Sequence, residues 1–171
     1  MKNRRKQQAG NVALEFTLVG IPLLFILISV INISYAMMTL HTIQEAVQQG
    51  ARFTIGRGAG CSDNSNTCTT TVGTIADAMR LFTPGVDPNV LQVTLKTASG
   101  AATSCNPLVS CHGNTTVWPP ASNGDNIPGK DIVISADYRM LTVIGIFWPG
   151  GGGNIFGPTT FHAYSRQRMT F

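Results

Sequence analysis

The sequence predicts an α+β molecule: one long N-terminal helix packed on a small antiparallel sheet, with disulfide-stapled loops. Three observations predict it. Residues 16–40 carry no charge and read FTLVGIPLLFILISVINISYAMMTL. Three later stretches alternate apolar and polar residues with a period of two, the signature of half-buried strands. Four cysteines, Cys61, Cys68, Cys105 and Cys111, all lie beyond the apolar run.

Charge is distributed unevenly. The chain of 171 residues has a net charge of +4, but Lys2, Arg4, Arg5 and Lys6 precede every acid. From residue 11 onward the basic and acidic residues balance at eight each. The basicity therefore belongs to a short leader and not to a nucleic-acid-binding face. Charged residues make up only 12% of the chain, and glycine (18) and proline (9) are frequent, which suits a loop-rich extracytoplasmic domain.

The first element is the helix. A membrane-crossing helix needs roughly 20 apolar residues to traverse about 30 Å of hydrocarbon. The uncharged run is long enough, with an anchor over about residues 16–38. Gly20 and Pro22 weaken a soluble helix but are tolerated in membrane helices. The basic leader holds the N-terminus in the cytoplasm, and the remainder lies across the membrane. Beyond the run, Ile43, Ala46, Val47 and Gly50 recur on one side at helical spacing, while Gln44, Gln48 and Arg52 lie elsewhere. One helix thus spans residues 11–53, its outer part half-buried on a head, until Gly56, Gly58 and Gly60 end it. The head comprises residues 54–171.

A secretory signal peptide cut after Ala36 is the alternative reading of the same segment. The apolar core exceeds the usual 7–15 residues of such peptides, and Glu15 stands at its front.

In the head, residues 73–82 place Ile75, Ala76, Met79 and Phe82 at helical spacing, with Thr74 as the N-cap and Pro84 and Gly85 beyond the end. Leu91, Val93 and Leu95 alternate with Gln92, Thr94 and Lys96 as a strand. Ile132, Ile134, Ala136 and Tyr138 alternate with Val133, Ser135, Asp137 and Arg139 as another. A last strand over residues 159–171 carries His162, Tyr164, Arg166 and Arg168 on one face. Residues 98–128 and 149–158 read as loops. Phe147, Trp148 and Phe156 read as core, or as a patch that docks on another subunit.

The even cysteine count fits disulfides and an oxidising compartment. Four cysteines allow three pairings, and local pairs Cys61–Cys68 and Cys105–Cys111 would each staple a short loop. A zinc site is the weaker reading, because no C-x2-C pair occurs. His41, His112 and His162 are scattered and form no metal-ligating motif. His112 beside Cys111 hints at a Cys–His nucleophile, which a disulfide at Cys111 excludes. The glycines of residues 56–60 lack the following Lys-Ser/Thr of a phosphate loop. No enzyme activity, cofactor, metal, small-molecule substrate or nucleic acid is expected.

One segment carries a family resemblance. In KNRRKQQAG-NVALEF a basic leader ends in Gly10, the apolar run opens after it, and Glu15 stands five residues past the glycine. This resembles a prepilin-type signal, with Gly10 before the cut and Asn11 as the new N-terminus. Asn11 stands where classical type IV pilins have phenylalanine. Phe16 follows Glu15 where prepilins of Flp type usually have tyrosine. The pattern G-x3-LEF-x-L-V-x2-P-L-L, followed by Ala46, Gly50, Ala51 and Arg52 in EAVQQGAR, is similar to TadE-like minor pseudopilins of tight-adherence (Flp, type IVb) pilus systems. The resemblance covers residues 10–55. It implies a pilin-like architecture, processing by a prepilin peptidase at Gly10 and Asn11, and an assembly role for Glu15 and Phe16. The partners it implies are other pilins and pseudopilins, the inner-membrane pilus platform and the lipid bilayer. It implies a single-pass protein of the cytoplasmic membrane whose head is periplasmic or extracellular and able to join the pilus.

Overall fold

A computed structural model describes residues 3–57, 68–140 and 159–170, the first ten of these as backbone only. Helix α1 spans Asn3–Ile55, and α2 spans Val72–Leu81. Four strands follow: β1 (Gln92–Thr97), β2 (Ala102–Cys105), β3 (Asp131–Met140) and β4 (Thr159–Arg168). They form one antiparallel sheet of order β2-β1-β3-β4. The expected α+β class is what the chain adopts.

The sheet follows the period-two pattern. Val93 and Leu95 of β1, and Ile132, Ile134, Ala136 and Tyr138 of β3, are buried. Leu91, just before β1, is fully buried. In β4, His162, Tyr164, Arg166 and Arg168 share the open face, and Ala163 and Ser165 point inward. The buried face receives α1 and α2, so one core joins both helices to the sheet.

Three expectations need correction. Thr74 is not the N-cap of α2; Thr71 is. Thr71 has extended dihedrals and pairs with Val117, and its side chain accepts a hydrogen bond from Thr74 N–H. Thr74 is the far half of a capping box, its hydroxyl accepting from Thr71 N–H at 2.9 Å. Phe82 does not extend the buried stripe, because α2 stops at Leu81 and Phe82 is 43% exposed at its C-cap. Residues 98–128 are not all loop: β2 lies within them, with 3-10 turns at Leu108–Cys111 and Ala121–Asn123. The expectations for Phe147, Trp148, Phe156 and the loop 149–158 fall outside the described residues.

The start of α2 is laced to a later segment. Val72 N–H donates to Thr116 O and Gly73 N–H to Asn114 O, each at 2.9 Å, while Trp118 N–H donates to Thr70 O at 3.0 Å. A Cβ on Gly73 would lie 2.8 Å from the backbone N and O of Asn114, so this approach requires glycine. Trp118 is buried in the core.

Cys105 and Cys111 form a disulfide across a loop of sequence separation 6. Cys68 is also disulfide-bonded. Cys61 lies outside the described residues.

Asp125 holds the loop after the second 3-10 turn to the β1–β2 connection. It is 1% exposed and accepts hydrogen bonds from Ser99 N–H at 3.1 Å and from Ser99 Oγ. Burial pushes its carboxyl up, but the hydrogen bonds from Ser99 and Thr97 and the charge of Lys130 outweigh burial and hold it below the ordinary value. Its stabilising contribution is therefore complete at neutral pH and is lost as pH falls through the lowered folded-state value. Asp125→Ala leaves the Ser99 donors unpaired and is expected to lower head stability by about 1–3 kcal/mol at pH 7. Urea denaturation at neutral and acid pH checks this: the gap between wild type and variant should narrow at low pH.

Candidate functional site

The long helix has two regimes along its length. From residue 13 to residue 38 its large apolar side chains face outward. Leu14, Phe16, Leu18, Val19 and Leu23 are all more than half exposed, and the series continues to Met38. From Thr39 upward one stripe turns inward: Thr39, Ile43, Ala46, Val47, Gly50, Ala51 and Thr54 are buried. His41, Glu45, Gln48 and Arg52 remain exposed on the other side.

The outward regime is chemically suited to hydrocarbon. It is strongly apolar, and none of its most apolar stretch is buried. Polar side chains here bond to their own helix. Thr17 Oγ1 donates to Ala13 O and Ser29 Oγ to Phe25 O, both at 2.7 Å. Asn32 Nδ2 donates to Ile28 O and Ser34 Oγ to Val30 O, both at 2.9 Å. A polar group without water needs such an internal partner. Pro22 sits inside the helix without ending it. The helix is long and apolar enough to cross a membrane.

The inward regime is a docking surface of small residues. A Cβ on Gly50 would lie 2.6 Å from Met79 Cγ, 3.0 Å from Met79 Sδ and 3.7 Å from Ile134 Cδ1. The missing side chain at Gly50 is thus the space that Met79 of α2 fills, between α1 and the sheet. Ala46 and Ala51 are both 0% exposed beside it. Arg52 faces outward in the last turns. At the helix end, the Arg57 guanidinium stacks over the Phe53 ring at 3.8 Å and donates to Phe53 O at 2.9 Å, which satisfies a terminal carbonyl.

Residues 10–52 match the family model described as TadE-like protein.

The TadE-like match begins at Gly10 and ends at Arg52, so it covers the outward regime and the docking stripe as far as Ala51. No curated protein and no solved structure matches the chain. Within the TadE-like segment, Gly10 and Asn11 lie in the helical backbone of α1. Glu15 and Phe16 are exposed on it, one turn inside the apolar regime. Ala46, Gly50 and Ala51 meet the head, and Arg52 does not.

Catalytic arrangements are not assembled among the described residues. No group of three or more metal-ligating side chains occurs there. His112 Nδ1 lies 2.7 Å from Asp77 Oδ1, while His162 pairs with Asp137 on the open sheet face. These are exposed pairs on different elements. Cys111, in its disulfide, supplies no thiolate for a Cys–His pair. Sequence reasoning missed the Asp77–His112 contact, which bridges 35 residues. It missed Asp125 for the same reason: its partner Ser99 is 26 residues away.

Proposed function

We propose that the chain is a minor pseudopilin of a tight-adherence pilus system, anchored by α1 in the cytoplasmic membrane with its head outside the cytoplasm. A prepilin peptidase removes residues 1–10, and the mature protein takes part in assembling or priming the pilus with other pilins and the inner-membrane platform. The observation that carries this reading is the coincidence of the TadE-like match with the helix from Gly10 to the docking stripe. A helix that offers hydrocarbon-compatible side chains on all sides can exchange lipid neighbours for other helices without exposing polar backbone. The basic leader fixes the orientation.

Glu15 is the residue on which assembly turns. On insertion scales an Asp or basic residue at a helix centre costs about 2.5–3.5 kcal/mol, and less near an end. In the lone protein Glu15 reaches the cytoplasmic headgroups. In a packed bundle that escape is lost, and the ammonium of Asn11 created by cleavage is the natural partner. A neighbour's ammonium fixes one axial register between subunits. Glu15→Gln keeps shape and polarity while removing the charge. It is expected to be inserted and cut normally, yet to fail to co-purify with pilins or support piliation. Full piliation by a stably expressed Glu15→Gln protein would leave the glutamate as a passive anchor and remove this role.

A further inference from the structure

The head grips α1 lower than the end of the uncharged run. Tyr35 Oη donates to Gly85 O at 3.3 Å, joining α1 to the connection between α2 and β1. One residue later Ala36 packs against the core, and Thr39 is 3% exposed. Yet residues up to Leu40 carry no charge. Tyrosine side chains on a helix lean toward its N-terminus, so the hydroxyl lies no higher than the Tyr35 backbone. The connection at Gly85 therefore stands beside the apolar segment, about 7–8 Å below the level of Leu40 at 1.5 Å per residue.

That connection cannot enter hydrocarbon. It contains the exposed carboxylate Asp87, whose Oδ1 is held by Asn89 N–H at 2.9 Å, and Gly85 has a left-handed φ of 78° in an irregular turn. Irregular backbone exposed to lipid tails leaves polar groups unsatisfied. The outer edge of the hydrocarbon is therefore at or below Tyr35. Counting back the roughly 20 residues that span a bilayer core reaches Phe16, immediately past Glu15. An outward shift buries the connection, and an inward shift buries Glu15. One placement satisfies both ends: hydrocarbon over residues 16–35, with residues 36–40 in the headgroup layer, which is about 5–7 Å deep on each side. Tyr35 then sits at the interface, where tyrosine is enriched.

We infer that the α2–β1 connection, residues 83–90, is a membrane-contact surface that rests in the lipid headgroup layer, so that the head is seated on the bilayer. The inference rests on the membrane-anchor part of the proposed function and extends it. Pro84, Gly85, Asp87, Asn89 and Val90 are the exposed residues of the contact. Leu81 and Phe82 lie outside it; together with Pro84 at the start of the connection they line a groove against residues 41–48, which climbs from the headgroup layer to about two turns above Leu40.

Depth-dependent quenching tests this on the full-length protein reconstituted in phosphatidylethanolamine/phosphatidylglycerol vesicles with its disulfides intact. Bimane is attached at Asn89→Cys or Val90→Cys, and at Thr170→Cys as control. Thr170 N–H bonds Ile55 O at the far end of α1. Lipids spin-labelled at the headgroup should quench residues 89 and 90 several-fold more than residue 170, and lipids labelled at the tail end should quench neither. Equal, weak quenching at all three sites overturns the inference, as does cross-linking of residue 89 to a second copy in place of lipid contact. Flotation with the vesicles separates the two readings: protein that floats without quenching at 89 defeats the seat alone, and protein that does not float defeats the anchor as well.

Discussion

Gly50→Leu is expected to detach the head from α1. Even the first added carbon would come within 2.6 Å of Met79 Cγ, and Met79, Ile134 and Val47 around it are already at most 1% exposed. Such a core has no spare volume, and overpacking costs about 1–3 kcal/mol, occasionally more. A leucine exceeds the space by its whole side chain, so the upper end of that range or beyond is expected. Gly50→Ala should be milder, because alanine is about 1 kcal/mol better than glycine inside a helix and offsets part of the strain. Urea unfolding of detergent-solubilised protein measures both. Met79→Ala should restore much of what Gly50→Ala loses, a coupling that two independent sites would not show. A Gly50→Leu protein of unchanged stability would mean that the small residues of this motif serve something other than docking.

Gly10→Leu has the largest expected effect on processing: cleavage should be abolished. A peptidase acts on an extended backbone, yet α1 is helical from Asn3. Glycine inside a helix is destabilising by roughly 0.5–1 kcal/mol relative to alanine, which makes Gly10 a weak point where the helix opens. Leucine removes that weakness and adds a side chain at the cut. Co-expression with the peptidase should leave Gly10→Leu at full length and convert the wild type to a form ten residues shorter. The conversion also removes the basic leader, so the product should focus near neutral pH. Efficient cleavage of the variant at the same bond would remove Gly10 from the recognition signal.

The sequence made the long helix and two of its faces legible because each depends on local information. An uncharged run and a recurrence of Ile43, Ala46, Val47 and Gly50 are visible without knowing what they touch. Strands β1, β3 and β4 were legible for the same reason: each alternates over six or more residues. Strand β2 was not. ATSC has no apolar period, and only pairing with β1, Val93 opposite Cys105 through Lys96 opposite Ala102, makes it a strand. The cap of α2 was displaced because Thr71 and Thr74 are equivalent as letters; the pairing of Thr71 with Val117 decides between them. Phe82 had the right spacing but sits one residue past the last helical turn. The reach of the head down to Tyr35 was likewise hidden, since its partner Gly85 is 50 residues away. Gly50 was visible as a motif member, and its physical reason, the space filled by Met79, appears only in the fold.

The measurement that bears most directly on this account is the N-terminal sequence of the protein extracted from membranes of cells that carry the prepilin peptidase. A mature pseudopilin begins at Asn11, and that is the expected result. An intact Met1 would mark an unprocessed membrane-anchored domain, and a chain beginning at Met37 would mark a secreted one; either result contradicts the pseudopilin assignment.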